Sequence, residues 1–338
     1  MTRIAINGFG RIGRLFFRQL VEKGGFEIVA INDLGDIEQL AYLLKYDTVY
    51  GRFSEKVEIK KDSIVVGGKS IKVFSEKDPV KLPWGKLKVD VVVEATGAFR
   101  SYGSAKVHLA SGAKRVVITA PSKDEDTKDS KTILVGVNDN EIDSATITSN
   151  GSCTTNAAAP VIEILRKNPG MLKAILNSSH GYTASQNLVD GSSKGEDVRR
   201  GRAAAQNIVP SSTGAAIAVA RAIPELEGKF DGIALRVPVL SGSIADVTFI
   251  SKRKTSVKEI NSILSKAASS KRWKGILKVT EDPIVSADII GEPYAAIVDL
   301  NLTRVVDGDL VKVLSWYDNE AGYVATLVSH LEAVAKTL

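Results

Sequence analysis

The residue with the most distinctive chemistry is Cys153, the only cysteine in the 338 residues. It lies in the segment 149–156, Ser-Asn-Gly-Ser-Cys-Thr-Thr-Asn, where small polar residues give way to a helix-like apolar run. Free N–H groups at a helix N-terminus favour a thiolate and can hold the oxyanion that forms when sulfur attacks a carbonyl. A lone cysteine is more often a small buried core residue, but these polar neighbours favour an activated nucleophile.

Of the three histidines, His180 is the best candidate for a general base. It closes a strand pattern at 174–179 and is followed by Gly181, which suits a position that faces a site. His108 and His330 lie in helix patterns, where packing or surface roles are expected. An imidazole beside Cys153 would lower the pKa of the thiol and could carry protons. With one cysteine and no histidine cluster, a zinc site has few ligands available, and none is predicted.

A second constellation lies at the N-terminus, where the strand pattern 3–7 runs into Gly8-Phe9-Gly10-Arg11-Ile12-Gly13 and then a helical pattern at 14–22. Gly8 permits a tight turn, Gly10 lets a pyrophosphate approach the backbone, and Gly13 lets helix and strand pack closely. A second strand pattern, 27–32, ends at Asp33, whose carboxylate suits the adenosine ribose hydroxyls and disfavours a 2′-phosphate. Strand, glycines, helix and acid in this order predict a dinucleotide-binding unit.

The composition is that of an ordinary globular protein, with 44% hydrophobic and 25% charged residues. The net charge of +6 is mild, and no basic run interleaved with aromatics favours nucleic acid as a partner. No apolar run reaches the roughly 18 residues of a membrane span, and the N-terminal pattern is not that of a secretory signal. One cysteine cannot form an intrachain disulfide, so we expect a cytoplasmic protein.

The element pattern predicts an α/β protein with a Rossmann-type doubly wound parallel sheet and a second, α+β part. Strand patterns at 89–94, 115–120, 133–137 and 146–148, with a helix at 104–110, extend the first sheet to about six or more mostly parallel strands. Strand patterns outnumber helices after Cys153, which favours a mostly antiparallel or mixed sheet. We expect an NAD-binding domain at 1–152 with the C-terminal helix 319–338, and a catalytic domain at 153–318.

Taken together, the motifs resemble the phosphorylating glyceraldehyde-3-phosphate dehydrogenases over essentially the whole chain. The resemblance rests on ordered segments: the glycine turn 7–14, Glu94-Ala95-Thr96-Gly97, Ser152-Cys153-Thr154-Thr155-Asn156, residues 199–205, residues 210–216 and Trp316-Tyr317-Asp318-Asn319-Glu320. Each motif is short, but the ordered set is specific.

The resemblance implies a covalent mechanism on D-glyceraldehyde 3-phosphate. Cys153 would add to the aldehyde, and His180 would accept the hydroxyl proton as hydride leaves for the cofactor. Inorganic phosphate would then attack the thioester and release 1,3-bisphosphoglycerate, in glycolysis or gluconeogenesis.

The same resemblance assigns the binding residues. Thr183 and Arg236 would hold the phosphate of the substrate. The attacking phosphate would be held by Ser152, Thr154, Arg200, Thr213 and Gly214. The cofactor would be bound by Gly8, Gly10, Arg11, Ile12, Gly13, Asp33, Thr96, Gly97, Thr119, Asn319 and Tyr323, with Asn319 on the nicotinamide carboxamide and Tyr323 near it. Plain packing is an equal alternative for Tyr323.

Departures from the family pattern leave the catalytic groups intact. Gly151 stands where Ala is usual, Gly181 where Ala or Ser is common, Ile217 where Lys is usual and Ala321 where Trp is frequent. The loop 189–197 is longer than usual and lacks the Leu-Pro pair typical of strictly NAD-using members. Asp33 therefore favours NAD, while this loop leaves room for NADP.

Two alternatives stay open at this stage. One is a sister dehydrogenase acting on erythrose 4-phosphate, although residues 180–183 look more like the triose enzyme. The other is a binding protein that keeps NAD without catalysis, against which the intact Cys153 and His180 argue. The resemblance also implies a homotetramer with the loop 187–202 at a subunit interface.

Overall fold

The computed structural model describes residues 1–193, 195 and 197–338. The chain forms two compact units, one made of Met1–Ile133, Asp139–Gly151 and Leu327–Leu338, the other of Leu134–Asn138 and Ser152–Thr326. Lys194 and Glu196, which belong to the predicted long loop, lie outside the described residues. The domain limits expected from the sequence, 1–152 with 319–338 and 153–318, stay a prediction.

The first unit is built on a large sheet. The strands of this unit are β1 (Thr2–Asn7), β2 (Phe26–Asn32), β3 (Tyr46–Asp47), β4 (Gly51–Arg52), β5 (Val57–Lys60), β6 (Ser63–Val66), β7 (Lys69–Phe74), β8 (Val91–Glu94), β9 (Arg115–Ile118), β10 (Ser130–Thr132) and β11 (Ile147–Ser149). Strands β3 and β4 form a separate two-stranded sheet, and the others belong to the large sheet. Within the described residues the sheet order is β10-β11-β9-β8-β1-β2-β7-β6-β5. The pairs from β10 to β7 are parallel, and β7, β6 and β5 form an antiparallel meander.

The parallel part of this sheet confirms the predicted Rossmann-type fold. Every residue of β8 is buried, as expected for a parallel strand covered on both faces. The helices of the unit are α1 (Arg11–Lys23), α2 (Ile37–Lys45), α3 (Tyr102–Ala105) and α4 (Val107–Ala110). The predicted helix 104–110 is thus two short helices that meet at Lys106.

The second unit contains a mixed sheet, as the pattern after Cys153 predicts. Its strands are β12 (Met171–Gly181), β13 (Val209–Ser212), β14 (Phe230–Val237), β15 (Ser243–Ser251), β16 (Leu277–Thr280), β17 (Ala296–Asp299), β18 (Arg304–Val306) and β19 (Leu310–Tyr317). In the described part of the chain their order is β13-β14-β12-β15-β19-β17-β16, with β18 on β19. Only the β12–β14 and β16–β17 pairs are parallel among them.

Helices α5 (Cys153–Leu165), α6 (Ala215–Ala222) and α7 (Val257–Ala268) belong to this unit, and α8 (Ala321–Ala335) follows β19. In the core of the unit, α5 packs with alternate residues of the sheet, including Leu176, Val247 and Val313. The burial of α5 on nearly all sides fixes Cys153 at its first position. No helix among the described residues has the length and apolar character needed to cross a membrane.

Two local predictions are wrong. Residues 133–137 are not a strand, because Val137 N–H donates to Leu134 O in a turn and Gly136 adopts φ +82; the strand is Ser130–Thr132 instead. The C-terminal helix begins at Ala321 rather than at residue 319, because the Asp318 carboxylate accepts the N–H groups of Glu320 and Ala321 at 2.9 Å each.

Candidate active site

Cys153 and His180 lie in contact in the second unit, which the sequence alone could not show. Cys153 is the first residue of α5, and His180 lies near the end of β12. The Sγ atom of Cys153 is 3.2 Å from Nε2 of His180. Helix α5 is fixed at this end by a capping box, in which Ser152 Oγ accepts from Thr155 N and Thr155 Oγ1 accepts from Ser152 N. The nucleophile is therefore held within reach of a base.

The contacts of His180 bear on which ring nitrogen carries the proton. Nδ1 lies 2.6 Å from Gly181 O, which can only accept, and 2.8 Å from Arg236 Nη1, which can only donate, so the two contacts favour opposite tautomers. Because Arg236 Nη1 can donate to Gly181 O at 3.2 Å instead, we assign the proton to Nδ1. Nε2 is then the unprotonated nitrogen and points at Cys153 Sγ. This arrangement leaves Nε2 free to accept the thiol proton.

The electrostatics of the pair differ from the expectation. Burial and the neighbouring Arg236 lower the pKa of His180 to about 3, so the ring is neutral. Burial raises the pKa of the Cys153 thiol, although Arg236 and the N–H and hydroxyl of Thr154 act in the opposite direction. The prediction that an imidazole lowers the thiol pKa is wrong here, because a neutral ring contributes no charge. The raised thiol pKa and the lowered imidazole pKa both favour the neutral pair.

Two arginines contribute positive charge beside this pair: Arg236 contacts His180, and the charge of Arg200 acts on both His180 and Arg236. Arg236 Nε is buried and has no hydrogen-bond partner within the described residues. Arg200 donates to Ser211 Oγ through Nε at 3.0 Å and Nη2 at 2.6 Å. Burial and, to a smaller extent, the charge of Arg200 lower the pKa of Arg236. Neither arginine is paired with a carboxylate in the parts of the chain that the structure describes. A buried guanidinium N–H without a partner, with a second positive charge acting on it, can bind an anion.

Two of the hydroxyl residues predicted to bind phosphate are Thr183 and Thr213. Thr183 Oγ1 is 2.9 Å from Ser185 Oγ, which in turn accepts from Arg200 Nη1 at 3.2 Å. Thr213 Oγ1 accepts from Ala215 N at 3.2 Å, and exposed Gly214 directly precedes α6 and provides no side-chain cap. The structure thereby connects Thr183 to Arg200 through Ser185 and places Thr213 and Gly214 at a helix N-terminus.

Tyr317 is a site residue whose role the sequence did not predict. Its hydroxyl is 2.9 Å from Thr154 Oγ1 and 2.7 Å from Ser178 Oγ, and its ring packs edge-on against His180 with centroids 6.0 Å apart. Burial raises the pKa of this phenol. The Thr154 hydroxyl is therefore bonded to Tyr317 as well as lying near Cys153. The only sequence signal was the position of Tyr317 within the motif 316–320.

The glycine turn of the first unit has the geometry of a dinucleotide cradle. Gly8 adopts φ +95, and a methyl group there would lie 2.5 Å from Thr96 N. A methyl group at Gly13 would overlap Gly8 O, whereas Gly10 has open space around it. Gly10 precedes α1 and provides no side-chain cap, so the first N–H groups of the helix can bind a phosphate. The residues present therefore fit NAD.

Asp33 supports this cradle and closes its end. Its Oδ2 accepts from Phe9 N at 2.6 Å, and its Oδ1 accepts from Gly35 N at 2.8 Å. Each carboxylate oxygen can accept a second hydrogen bond, so lone pairs of Asp33 remain for ribose hydroxyls. The backbone contacts fix the carboxylate at the end of β2, where the sequence predicts it.

The other predicted cofactor residues have varied environments. Arg11 forms an ion pair with Asp47 and lies over the Tyr50 ring, and Ile12 is half-buried in the first turn of α1. Gly97 has φ +73 and open space, while Thr119 Oγ1 donates to Glu94 O at 3.0 Å. These residues belong to the first unit.

Asn319 and Tyr323 belong to the second unit. Asn319 Oδ1 accepts from Gly242 N at 3.1 Å and from Ser243 Oγ at 2.9 Å, so its amide NH₂ is the group that can donate to a carboxamide. Tyr323 is buried in α8, in line with the packing alternative.

Comparisons with known proteins agree with this geometry. Residues 2–102 match the family described as "Glyceraldehyde 3-phosphate dehydrogenase, NAD binding domain", and residues 152–319 match "Glyceraldehyde 3-phosphate dehydrogenase, C-terminal domain". A Streptomyces coelicolor protein named "Glyceraldehyde-3-phosphate dehydrogenase" is 50% identical over 329 residues, 96% of each chain. Proteins of the same name from Clostridium pasteurianum (48% over 340 residues, 99% of each chain) and Mycobacterium avium (49% over 345 residues, 100% of this chain and 99% of the other) are also similar.

Proposed function

The chain belongs to the glyceraldehyde-3-phosphate dehydrogenase family, and from this premise we propose how its residues carry out the reaction. The protein is an NAD-using oxidoreductase of glycolysis that converts D-glyceraldehyde 3-phosphate and inorganic phosphate to 1,3-bisphosphoglycerate. The observation that carries the proposed mechanism is the 3.2 Å contact between Cys153 Sγ and Nε2 of His180.

The first step is addition of sulfur to the aldehyde carbon. His180 Nε2 takes the thiol proton as the C–S bond forms and returns it to the aldehyde oxygen, which gives a neutral hemithioacetal on Cys153. The N–H groups of Cys153 and Thr154 at the start of α5 already face the sulfur, and they stabilise negative charge that develops there. A neutral thiol and a neutral imidazole are the correct starting states for this transfer.

Oxidation and phosphorolysis follow at the same two residues. Bound NAD supplies the hydride acceptor. His180 removes the hydroxyl proton of the hemithioacetal, the carbon becomes a thioester, and the proton held on Nε2 can return to sulfur when phosphate displaces Cys153. The low pKa of His180 makes its imidazolium a strong acid that gives up this proton readily.

Arg236 and Thr183 are proposed to bind the phosphate of the substrate, and Ser152, Thr154, Arg200, Thr213 and Gly214 the attacking phosphate. The unpartnered Arg236 Nε and the adjacent Arg200 support an anion pocket beside the nucleophile. Ser152 Oγ and Thr154 Oγ1 already bond Thr155 and Tyr317, so an anion there would have to share these hydroxyls.

The covalent step is tested by omitting phosphate. Enzyme mixed with NAD and glyceraldehyde 3-phosphate should form a stoichiometric burst of NADH, and peptide mass spectrometry should find the phosphoglyceroyl group on Cys153. His180→Gln should slow the burst while keeping the adduct position. Steady NADH production without phosphate, or an adduct elsewhere, would refute the mechanism.

NAD is the favoured cofactor, and dual use with NADP remains part of the proposal. The fixed carboxylate of Asp33 supports NAD, since its charge would repel a 2′-phosphate. The ratio of kcat/KM for the two cofactors decides the preference.

We also propose a cytoplasmic homotetramer. In the second unit one face of the sheet packs against helices, while Ile175 of β12 and Ile233 of β14 on alternate positions are 58% and 54% exposed. Ile175, Phe230 and Leu310 line an open cleft of about 570 Å³ on this unit. Such an apolar face favours association with another copy. Light scattering of wild type against Ile175→Asp tests it: a monomeric wild type would exclude the tetramer.

A further inference from the structure

A buried group of polar side chains lies beside the nucleotide-binding turn of the first unit, with Glu94 at its centre. Glu94 is 2% exposed and His108 is fully buried. Glu94 Oε1 accepts from Thr96 N at 2.8 Å and from the Thr96 hydroxyl. Glu94 Oε2 accepts from Asn7 Nδ2 at 2.6 Å and lies 2.9 Å from His108 Nε2. A carboxylate in the core thus connects three separate parts of the unit.

The tautomer of His108 follows from its other partner. Trp84 Nε1 lies 3.2 Å from His108 Nδ1, and an indole N–H can only donate. Nδ1 is therefore the acceptor, so Nε2 carries the proton and donates to Glu94. Trp84 is fully buried, which holds this orientation in place.

The amide side of the network is fixed in the same way. Glu76 N–H donates to Asn32 Oδ1 at 2.8 Å, so Asn32 Nδ2 is the group that donates to Asn7 Oδ1 at 2.7 Å. Asn7 must then present Nδ2 to Glu94. Within the described residues, the four contacts of the Glu94 carboxyl all come from donors, so the group acts as an acceptor in each of them.

The network joins the strand ends that form the cradle. Asn7, Asn32 and Glu94 are the last residues of β1, β2 and β8, three strands that are neighbours in the sheet. In parallel sheets ligands bind at the carboxyl ends of the strands. Because a methyl group at Gly8 would lie 2.5 Å from Thr96 N, the loop after β8 rests directly on the glycine turn. Glu94 accepts hydrogen bonds from both sides of this contact, from Asn7 before the glycine turn and from Thr96 in the loop.

We propose that Glu94, held by His108, is a positioning residue for the dinucleotide: it fixes the backbone of Thr96 and Gly97 against the Gly8 turn and so preorganises the surface that receives the cofactor. The inference rests on the proposed cofactor roles of Gly8, Thr96 and Gly97. Neither Glu94 nor His108 needs to touch the cofactor.

Glu94→Gln separates positioning from simple electrostatics, because the two predict effects of opposite sign. Gln keeps the shape of Glu but replaces one acceptor oxygen by an NH₂ group, which must face a donor. Removal of a negative charge near an anionic cofactor would by itself tighten binding. Positioning predicts that NAD binds about tenfold more weakly, as expected for one mismatched charged hydrogen bond.

The experiment measures NAD binding to the full chain by calorimetry, without substrate, for Glu94→Gln, His108→Leu and His108→Gln. His108→Leu removes the donor and should weaken NAD by about tenfold, while His108→Gln, whose amide can donate from the position of Nε2, should restore affinity to within about twofold. The matched control is Glu163→Gln, which neutralises another buried glutamate, paired with Arg166 and Lys167 in the second unit. It should leave NAD affinity unchanged.

The outcomes distinguish the inference from the proposed function. Weaker NAD binding in Glu94→Gln, with KM for NAD raised and kcat at saturating NAD retained, supports positioning. Unchanged or tighter binding in Glu94→Gln overturns it, even if His108→Leu fails to fold. Equal losses in His108→Leu and His108→Gln also overturn it. If wild type binds NAD but does not oxidise glyceraldehyde 3-phosphate, the proposed function fails while the binding comparison still decides the role of Glu94.

Discussion

Replacement of Gly10 by alanine should separate cofactor binding from folding. Gly10 adopts φ −71 and ψ −159, which an alanine tolerates, and a methyl group there meets no atom within 4 Å. We therefore expect Gly10→Ala to change the free energy of unfolding by no more than about 0.5 kcal/mol. The open space is where a pyrophosphate would approach the first N–H groups of α1.

The expected loss of NAD affinity follows from this approach. A methyl group that keeps the phosphate from the helix N-terminus removes one charged hydrogen bond, worth about 1.5–3 kcal/mol. This corresponds to a dissociation constant for NAD about 10- to 150-fold higher. Calorimetric titration with NAD and urea unfolding of the same samples measure both quantities.

Two further glycine variants provide the comparison. Gly13→Ala should lose stability as well as NAD affinity, by about 1–3 kcal/mol of unfolding free energy, because its methyl group would overlap Gly8 O. Gly103→Ala, in helix α3 of the same unit, would make only an ordinary contact and should leave NAD affinity unchanged. If Gly10→Ala binds NAD as tightly as wild type, the pyrophosphate does not lie at this turn, and the placement of the cofactor is refuted.

Three further predictions concern pH, the anion pocket and cofactor choice. Burial holds the pKa of His180 at about 3 and that of His330 at about 4, against 6.5 in an unfolded chain, so the unfolded state binds more protons between about pH 4 and 6.5 and stability should rise with pH there. His330→Gln should flatten this rise in urea unfolding; an unchanged slope would contradict the assignment. Arg236→Leu should raise KM for glyceraldehyde 3-phosphate by about 10- to 150-fold through loss of a charged contact, with KM for NAD little changed; equal changes in both constants would argue against a substrate-phosphate site. Asp33→Ser should raise the NADP/NAD ratio of kcat/KM on the order of tenfold, since it removes a charge that repels a 2′-phosphate; a constant ratio would remove Asp33 from cofactor selection.

The sequence was sufficient for features that depend on local pattern. The turn from Gly8 to Gly13 is recognisable because strand, glycines and helix are contiguous, and the structure has this order. Cys153 and His180 could be chosen as partners from residue type and from their positions at the start of a helix and the end of a strand. Their contact depends on the packing of α5 against the sheet, which no local pattern contains.

Other features could not be obtained from local pattern. The predicted direction of the Cys153 pKa shift was wrong, because the burial that raises this pKa arises only when the site packs. Tyr317 and the Glu94–His108 pair join residues that are far apart in sequence or lack a periodic signal. The apolar segment 133–137 has the composition of a strand, but positive φ at Gly136 turns the chain.

The most direct test of the mechanism is the initial rate of NADH formation from glyceraldehyde 3-phosphate, with and without inorganic phosphate, for wild type and Cys153→Ser. The account predicts phosphate-dependent steady turnover in wild type and its loss in Cys153→Ser, with NAD affinity retained in the variant. Turnover that is independent of phosphate, or that survives replacement of the thiol, would contradict a thioester on Cys153.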